Sequence, residues 1–182
     1  MVDYFQKLNK TFVIGEYDTK EVQISFGHET DNGFIGIEYF HVDIENKNEL
    51  MDIIPKEYQK YFFMTVMKIN VEIPPHTDSG IKSTINFYIE PSDCLTQFYK
   101  FKTDKPKTYQ VENQSNGFVF DKNDLQKTDS FVAKATEAWV LDVTQPHSVI
   151  PQSEFKERTA IALSSELEYN TVCGILKDEG YL

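Results

Sequence analysis

Two-residue alternation of apolar and polar side chains dominates this chain, the pattern of strands with one buried face rather than of helices. Thr65, Met67, Ile69, Val71 and Ile73 interleave with Val66, Lys68, Asn70 and Glu72, which predicts one long strand with an apolar side. Ile85, Phe87 and Ile89 alternate in the same way with Thr84, Asn86 and Tyr88. Shorter candidates are Thr96–Lys102, Gly117–Asp121, Phe131–Lys134, Ala138–Val143 and Arg158–Ser164. Turn-forming clusters separate them: Pro74-Pro75, Asp78-Ser79-Gly80, Pro91-Ser92-Asp93 and Asn113-Gln114-Ser115-Asn116-Gly117. Seven or more strands between about residues 62 and 165, joined by loops, fit a double-sheet jelly roll or a sandwich.

The N-terminal sixty-one residues read differently. Glu21–Phe26 and Gly33–Ile44 suggest a hairpin, and Asn48 is placed to cap a short helix over Glu49–Ile54. Pro55 then ends that helix and can open a second turn through Tyr61. With no Gly/Ser linker and a length of 182 residues, the expectation is a single domain over 1–182. Within it, 1–61 is an extension packed on a core of 62–165, and 166–182 is a tail with little to read. Eighteen basic against twenty-nine acidic side chains leave a net charge of −11, which would repel a phosphate backbone and argues against a nucleic-acid partner. No apolar run approaches the ~18 residues of a membrane span, and Met1-Val2-Asp3-Tyr4-Phe5 lacks the pattern of a secretory leader. Two cysteines, Cys94 and Cys173, make no disulfide framework, so reduced thiols and a cytoplasmic setting (a host cytoplasm if the source is viral) are expected.

The residues with chemistry to offer are His76, Asp78, His147 and Arg158. In extended chain, i and i+2 point to one side, so His76 and Asp78 can offer an imidazole nitrogen and a carboxylate oxygen to one metal. His147 supplies a third ligand from another strand. Two histidines and one carboxylate leave coordination positions open, the arrangement of non-haem Fe(II) oxygenases, and no thiolate is present to favour zinc. Arg158 is the only arginine in a chain otherwise basic through lysine. Alternation puts it with Ala160, Ala162 and Ser164 on one face, opposite Thr159, Ile161 and Leu163. A planar fork of donors beside small residues suits a carboxylate in a way that lysine does not.

An HxD, a later His and an Arg about ten residues on, in this order, resemble the Fe(II)- and 2-oxoglutarate-dependent dioxygenases over residues 62–165. Ile73-Pro74-Pro75-His76-Thr77-Asp78 resembles that family's approach to its first ligand, and Ile85-Asn86-Phe87-Tyr88-Ile89 the strand that follows. Trp139-Val140-Leu141-Asp142 through Pro146-His147-Ser148-Val149 is similar to the run into the second histidine, closest to prolyl and aspartyl/asparaginyl hydroxylase-like members. The resemblance implies a mainly β, cupin-like double-stranded β-helix in which His76, Asp78 and His147 bind iron and Arg158 holds the distal carboxylate of 2-oxoglutarate. It implies O2-dependent hydroxylation of an unactivated C–H bond, with an amino-acid or peptide side chain as the leading substrate class. Many members carry Ser or Thr two residues after the arginine, where this chain has Ala160. A second donor is then needed, with Asn86 and Tyr88 ranked ahead of Thr84 and Tyr99.

Competing assignments accompany these. His41-Val42-Asp43 is a second HxD, but it lies inside a continuous strand with no arginine suitably placed downstream; a strand histidine and a surface acid are expected. His28 falls in a polar turn and is expected to be solvated, Lys82 reads as a surface lysine, and neither cysteine has the partners of a zinc ligand. A lid is most plausible in the N-terminal segment or in the polar stretch 103–116. Two rival functions remain: a metal- or sugar-binding cupin-like module without oxygen chemistry, and a jelly-roll structural protein without metal.

Overall fold

A computed structural model describes residues 3–31, 33–109, 118–154 and 156–182, with the side chains of 23–26, 28, 29, 33 and 34 left aside. In chain order the elements are β1 (Phe5–Thr11), β2 (Tyr17–Thr30), β3 (Gly33–Ile44), α1 (Lys47–Met51), α2 (Lys56–Gln59), β4 (Phe62–Ile69) and β5 (Ile73–Thr77). There follow β6 (Ser83–Glu90), β7 (Cys94–Phe101), β8 (Thr108–Tyr109), β9 (Phe118–Phe120), β10 (Leu125–Val132), β11 (Glu137–Asp142), β12 (His147–Pro151), β13 (Arg158–Ser165) and α3 (Tyr169–Asp178). Two antiparallel sheets result, a seven-stranded one in the order β1-β11-β6-β13-β4-β3-β2 and a six-stranded one in the order β10-β7-β12-β5-β9-β8. The architecture is mainly β and compatible with a sandwich or jelly roll.

Four pairings are nested: β4 with β13, β5 with β12, β6 with β11 and β7 with β10. A long double strand rolled up on itself gives this order, and it brings the first histidine's strand against the second's.

Both faces of the seven-stranded sheet are covered. On one, Val66, Ile85, Phe87, Val140, Ile161 and Leu163 pack beneath Leu50, Ile53 and Ile54 of the α1 region and Val172, Cys173 and Leu176 of α3. Fully burying one such leucine or isoleucine contributes about 1.5–3 kcal/mol. On the other, Met67, Ile69, Tyr88, Ala160 and Ala162 face Ile73, Phe98, Phe131 and Val149 of the six-stranded sheet. The polar face of β6 (Thr84, Asn86, Tyr88) therefore looks between the sheets rather than at solvent.

Several expectations need correcting. The long strand through residues 65–73 is two strands in different sheets. Asn70 marks the crossing: its N–H bonds to Gly36 O at 3.1 Å and its Oδ1 accepts from Gly36 N at 2.7 Å. The strand placed at Phe131–Lys134 runs instead over Leu125–Val132. The α1 helix starts two residues before Glu49, with Asn46 rather than Asn48 at its cap position. Asn46 gives that helix no backbone cap because its side chain is held by Gly15 N and Val13 O, each at 2.9 Å. Neither β1 nor α3 was anticipated. Of the polar stretch 103–116, residues 110–116 lie outside the described residues, as does the whole Asn113–Gly117 turn. No helix of the described residues is long and apolar enough to cross a membrane.

Candidate metal centre

Pro74 and Pro75 sit in the middle of a sheet, where a missing N–H is normally excluded. The ladder explains them. His147 pairs with His76 and Val149 with Ile73, so two steps along β12 oppose three along β5. The extra residue of β5 is a bulge, a local device for re-aiming a side chain, and the prolines occupy it. His76 leaves the bulge facing His147 across the ladder, with ring centroids 4.3 Å apart. Asp78 follows just beyond the strand, where its N–H bonds to Val143 O at 3.1 Å.

The two imidazoles are oriented by backbone carbonyls. His76 Nδ1 lies 2.9 Å from Pro74 O, and His147 Nδ1 lies 3.0 Å from Gln145 O. A carbonyl only accepts, so each Nδ1 carries the proton and each Nε2 keeps its lone pair for a metal. Nε2 of His76 is 3.7 Å from Asp78 Oδ1. One ligand atom from each of His76, Asp78 and His147 lies within 4.8 Å of the others, the sole such group of three among the described residues. Burial, helped by the neighbouring His76 and Arg158, lowers the His147 pKa to about 3, against a weaker raising effect of Gln145 O. His147 is therefore neutral and ready to ligate at physiological pH. Burial raises the Asp78 carboxyl, and His76 partly offsets it. Phe98 packs along His147 at 5.6 Å between ring centroids.

Arg158, only 2 % exposed, opens β13 in the same cleft. Its Nη2 donates to Tyr88 Oη at 2.7 Å and to Thr96 Oγ1 at 3.0 Å. Its Nε and Nη1 are buried with no acceptor among the described residues. An uncompensated buried guanidinium is worth several kcal/mol of destabilisation, and an anionic ligand removes it. The cleft is narrow, with about 40 Å³ open to the centre of a water-sized sphere.

No family model matches the chain, and no curated protein matches it in sequence.

Of the residues singled out as donors, Thr84, Asn86 and Tyr88 line the cleft with the triad and Arg158. Thr84 Oγ1 donates to Asn86 Oδ1 at 3.2 Å. Tyr99 is a correction. It lies on the opposite face of β7 from Thr96 and Phe98, packs with Phe120 and Leu125, and shares a hydrogen bond of 2.9 Å with Ser148 Oγ. Thr96 was missed, although it shares the parity of Cys94 and Phe98, the apolar inward side of that strand. Tyr39 and Ile37 of β3 were missed too, and both line the cleft. Burial, then Asp78 and Tyr88, raise the Tyr39 hydroxyl well above the usual tyrosine range, against a weaker lowering by Arg158. The group is a protonated phenol, not a phenolate.

The second HxD behaves as a contrast. His41 is exposed on β3 opposite Thr65, and Asp43 pairs with Lys20 at 3.2 Å. His28 belongs to β2 rather than to a turn. Lys82 pairs with Glu168 on the surface. Cys94 and Cys173 are buried free thiols in different cores.

Proposed function

We propose that this protein is an Fe(II)- and 2-oxoglutarate-dependent dioxygenase, a hydroxylase of the prolyl or aspartyl/asparaginyl hydroxylase type, built on a cupin-like double-stranded β-helix. The nested pairing of β4 to β7 with β13 back to β10 supports that fold. One observation carries the chemistry: a convergent His76–Asp78–His147 group and a buried arginine with unsatisfied donors share one cleft. The donor set is nitrogen and oxygen only, two imidazoles and one carboxylate, which suits Fe(II) and leaves positions for a chelating cosubstrate. Bound there, iron would couple the oxidative decarboxylation of 2-oxoglutarate by O2, giving succinate and CO2, to insertion of the other oxygen atom into a substrate C–H bond.

The chain's own residues do the positioning. Arg158 Nε and Nη1 bind the distal carboxylate of the diacid. Tyr88 and Thr96 accept from Nη2, which holds the guanidinium plane and leaves both hydroxyl protons free to donate to the same carboxylate. Together they supply what Ala160 lacks. Pro74 O and Gln145 O keep the imidazoles in the ligating tautomer, and the apolar residues between the sheets exclude water around them. An amino-acid or peptide side chain is the proposed substrate, in a cytoplasmic setting that suits two free thiols.

Anaerobic titration with Fe(II) and 2-oxoglutarate tests the reading. A visible charge-transfer band is expected in the parent and is absent in H147A and D78A, with succinate release following the same pattern on aeration. Metal binding with no response to 2-oxoglutarate would point instead to a cupin-like binding module. No metal binding at all would point to a structural jelly roll.

A further inference from the structure

One strand outside the nested eight, β3, also reaches the cleft. In register, Tyr39 of β3 pairs with Met67 of β4, Met67 with Ala160 of β13, and Ala160 with Tyr88 of β6. Residues in one cross-strand row share a face, so this row sets two tyrosines on either side of a methionine and a methyl group. The adjacent row runs Ile37, Ile69, Arg158. Tyr88 has its hydroxyl engaged by Arg158. Tyr39 makes no hydrogen bond through its hydroxyl among the described residues, yet it lies near enough to Asp78, Tyr88 and Arg158 to feel each of them. It lines the same cleft as the triad and the guanidinium.

Resting on the function proposed above, we infer that Tyr39 is a cosubstrate-binding residue, its hydroxyl donating a hydrogen bond to the 2-oxo diacid held in the cleft that Tyr39 lines with the triad and Arg158. The N-terminal segment is then part of the binding site, not only a cover for it. The ring of Tyr39 packs on the core between the sheets, so removing the oxygen alone separates binding from packing.

Calorimetric titration of 2-oxoglutarate into the Mn(II)-loaded full chain, parent against Y39F, reads the effect without turnover. A hydrogen bond to a charged ligand is worth about a tenfold change in affinity. Y39F is expected to bind 2-oxoglutarate about tenfold more weakly while melting at the parent's temperature. Equal affinity in Y39F and parent overturns this inference alone, and so does a change confined to the KM of the hydroxylated substrate. A parent that fails to bind 2-oxoglutarate overturns the proposed function along with it.

Discussion

A guanidinium at 2 % exposure whose Nε and Nη1 find no acceptor among the described residues is a local conflict, and conflicts of this kind mark ligand sites. Replacing it separates stability from binding. R158M removes a buried charge that no carboxylate of the described residues pairs with, so the metal-free protein is expected to gain about 1–3 kcal/mol in urea denaturation. The same variant is expected to lose measurable 2-oxoglutarate affinity. R158K keeps the charge but not the planar fork, and a loss of tenfold or more in that affinity is the expected result. Parental affinity in R158K would remove the argument from guanidinium geometry. At this scale the sequence was legible where residue type alone narrows the choice: a lone arginine among small neighbours, and an HxD beside a proline pair. Thr96 was not legible in that way, because a threonine on a strand has many ordinary explanations.

Elements show where periodicity informs and where it stops. Tyr169, Val172, Cys173 and Leu176 recur at helical spacing, and α3 buries that stripe on the seven-stranded sheet. The signal was present in the tail and went unread. Leu176 is fully buried, and L176A is expected to lower stability by about 2–5 kcal/mol, read by urea denaturation. The first strand is held differently. Glu137 of β11 accepts from Lys7 of β1, from Lys134 N at 3.0 Å and from Trp139 Nε1 at 3.1 Å. Burial raises its pKa, but these partners outweigh burial and leave it below the usual glutamate value. A depressed folded pKa means the contribution is present above the unfolded value and fades as pH falls through the folded one. The stability gap between parent and E137Q is therefore expected to be widest near neutral pH and to close under acid, a trend that denaturation across a pH series measures. A gap constant with pH would assign Glu137 no ionic role. Alternation in β6 and β13 identified which residues share a face; it did not tell which face is inward, because both are buried here under different neighbours.

The whole molecule ties the first sixty-one residues to the rest through one continuous sheet. β1 lies against β11, and β3 against β4. Leu8, Ile44, Leu50, Ile53 and Ile54 belong to the same buried cluster as α3. A chain beginning at residue 62 would expose that cluster, so its circular dichroism is expected to show no cooperative thermal transition. A cooperative transition in the fragment would make the N-terminal strands an accessory. Local pattern was enough to indicate a mainly β chain and to single out four residues that the fold brings to one cleft, because alternation and turn preference act over a few neighbours. Other features needed the folded chain: the bulge that aims His76 at His147, the parity that brings Thr96 inward and sends Tyr99 outward, and the distant strand that delivers Tyr39. Each depends on register between segments far apart in sequence, and a one-residue slip in such a register reverses every side chain on the strand.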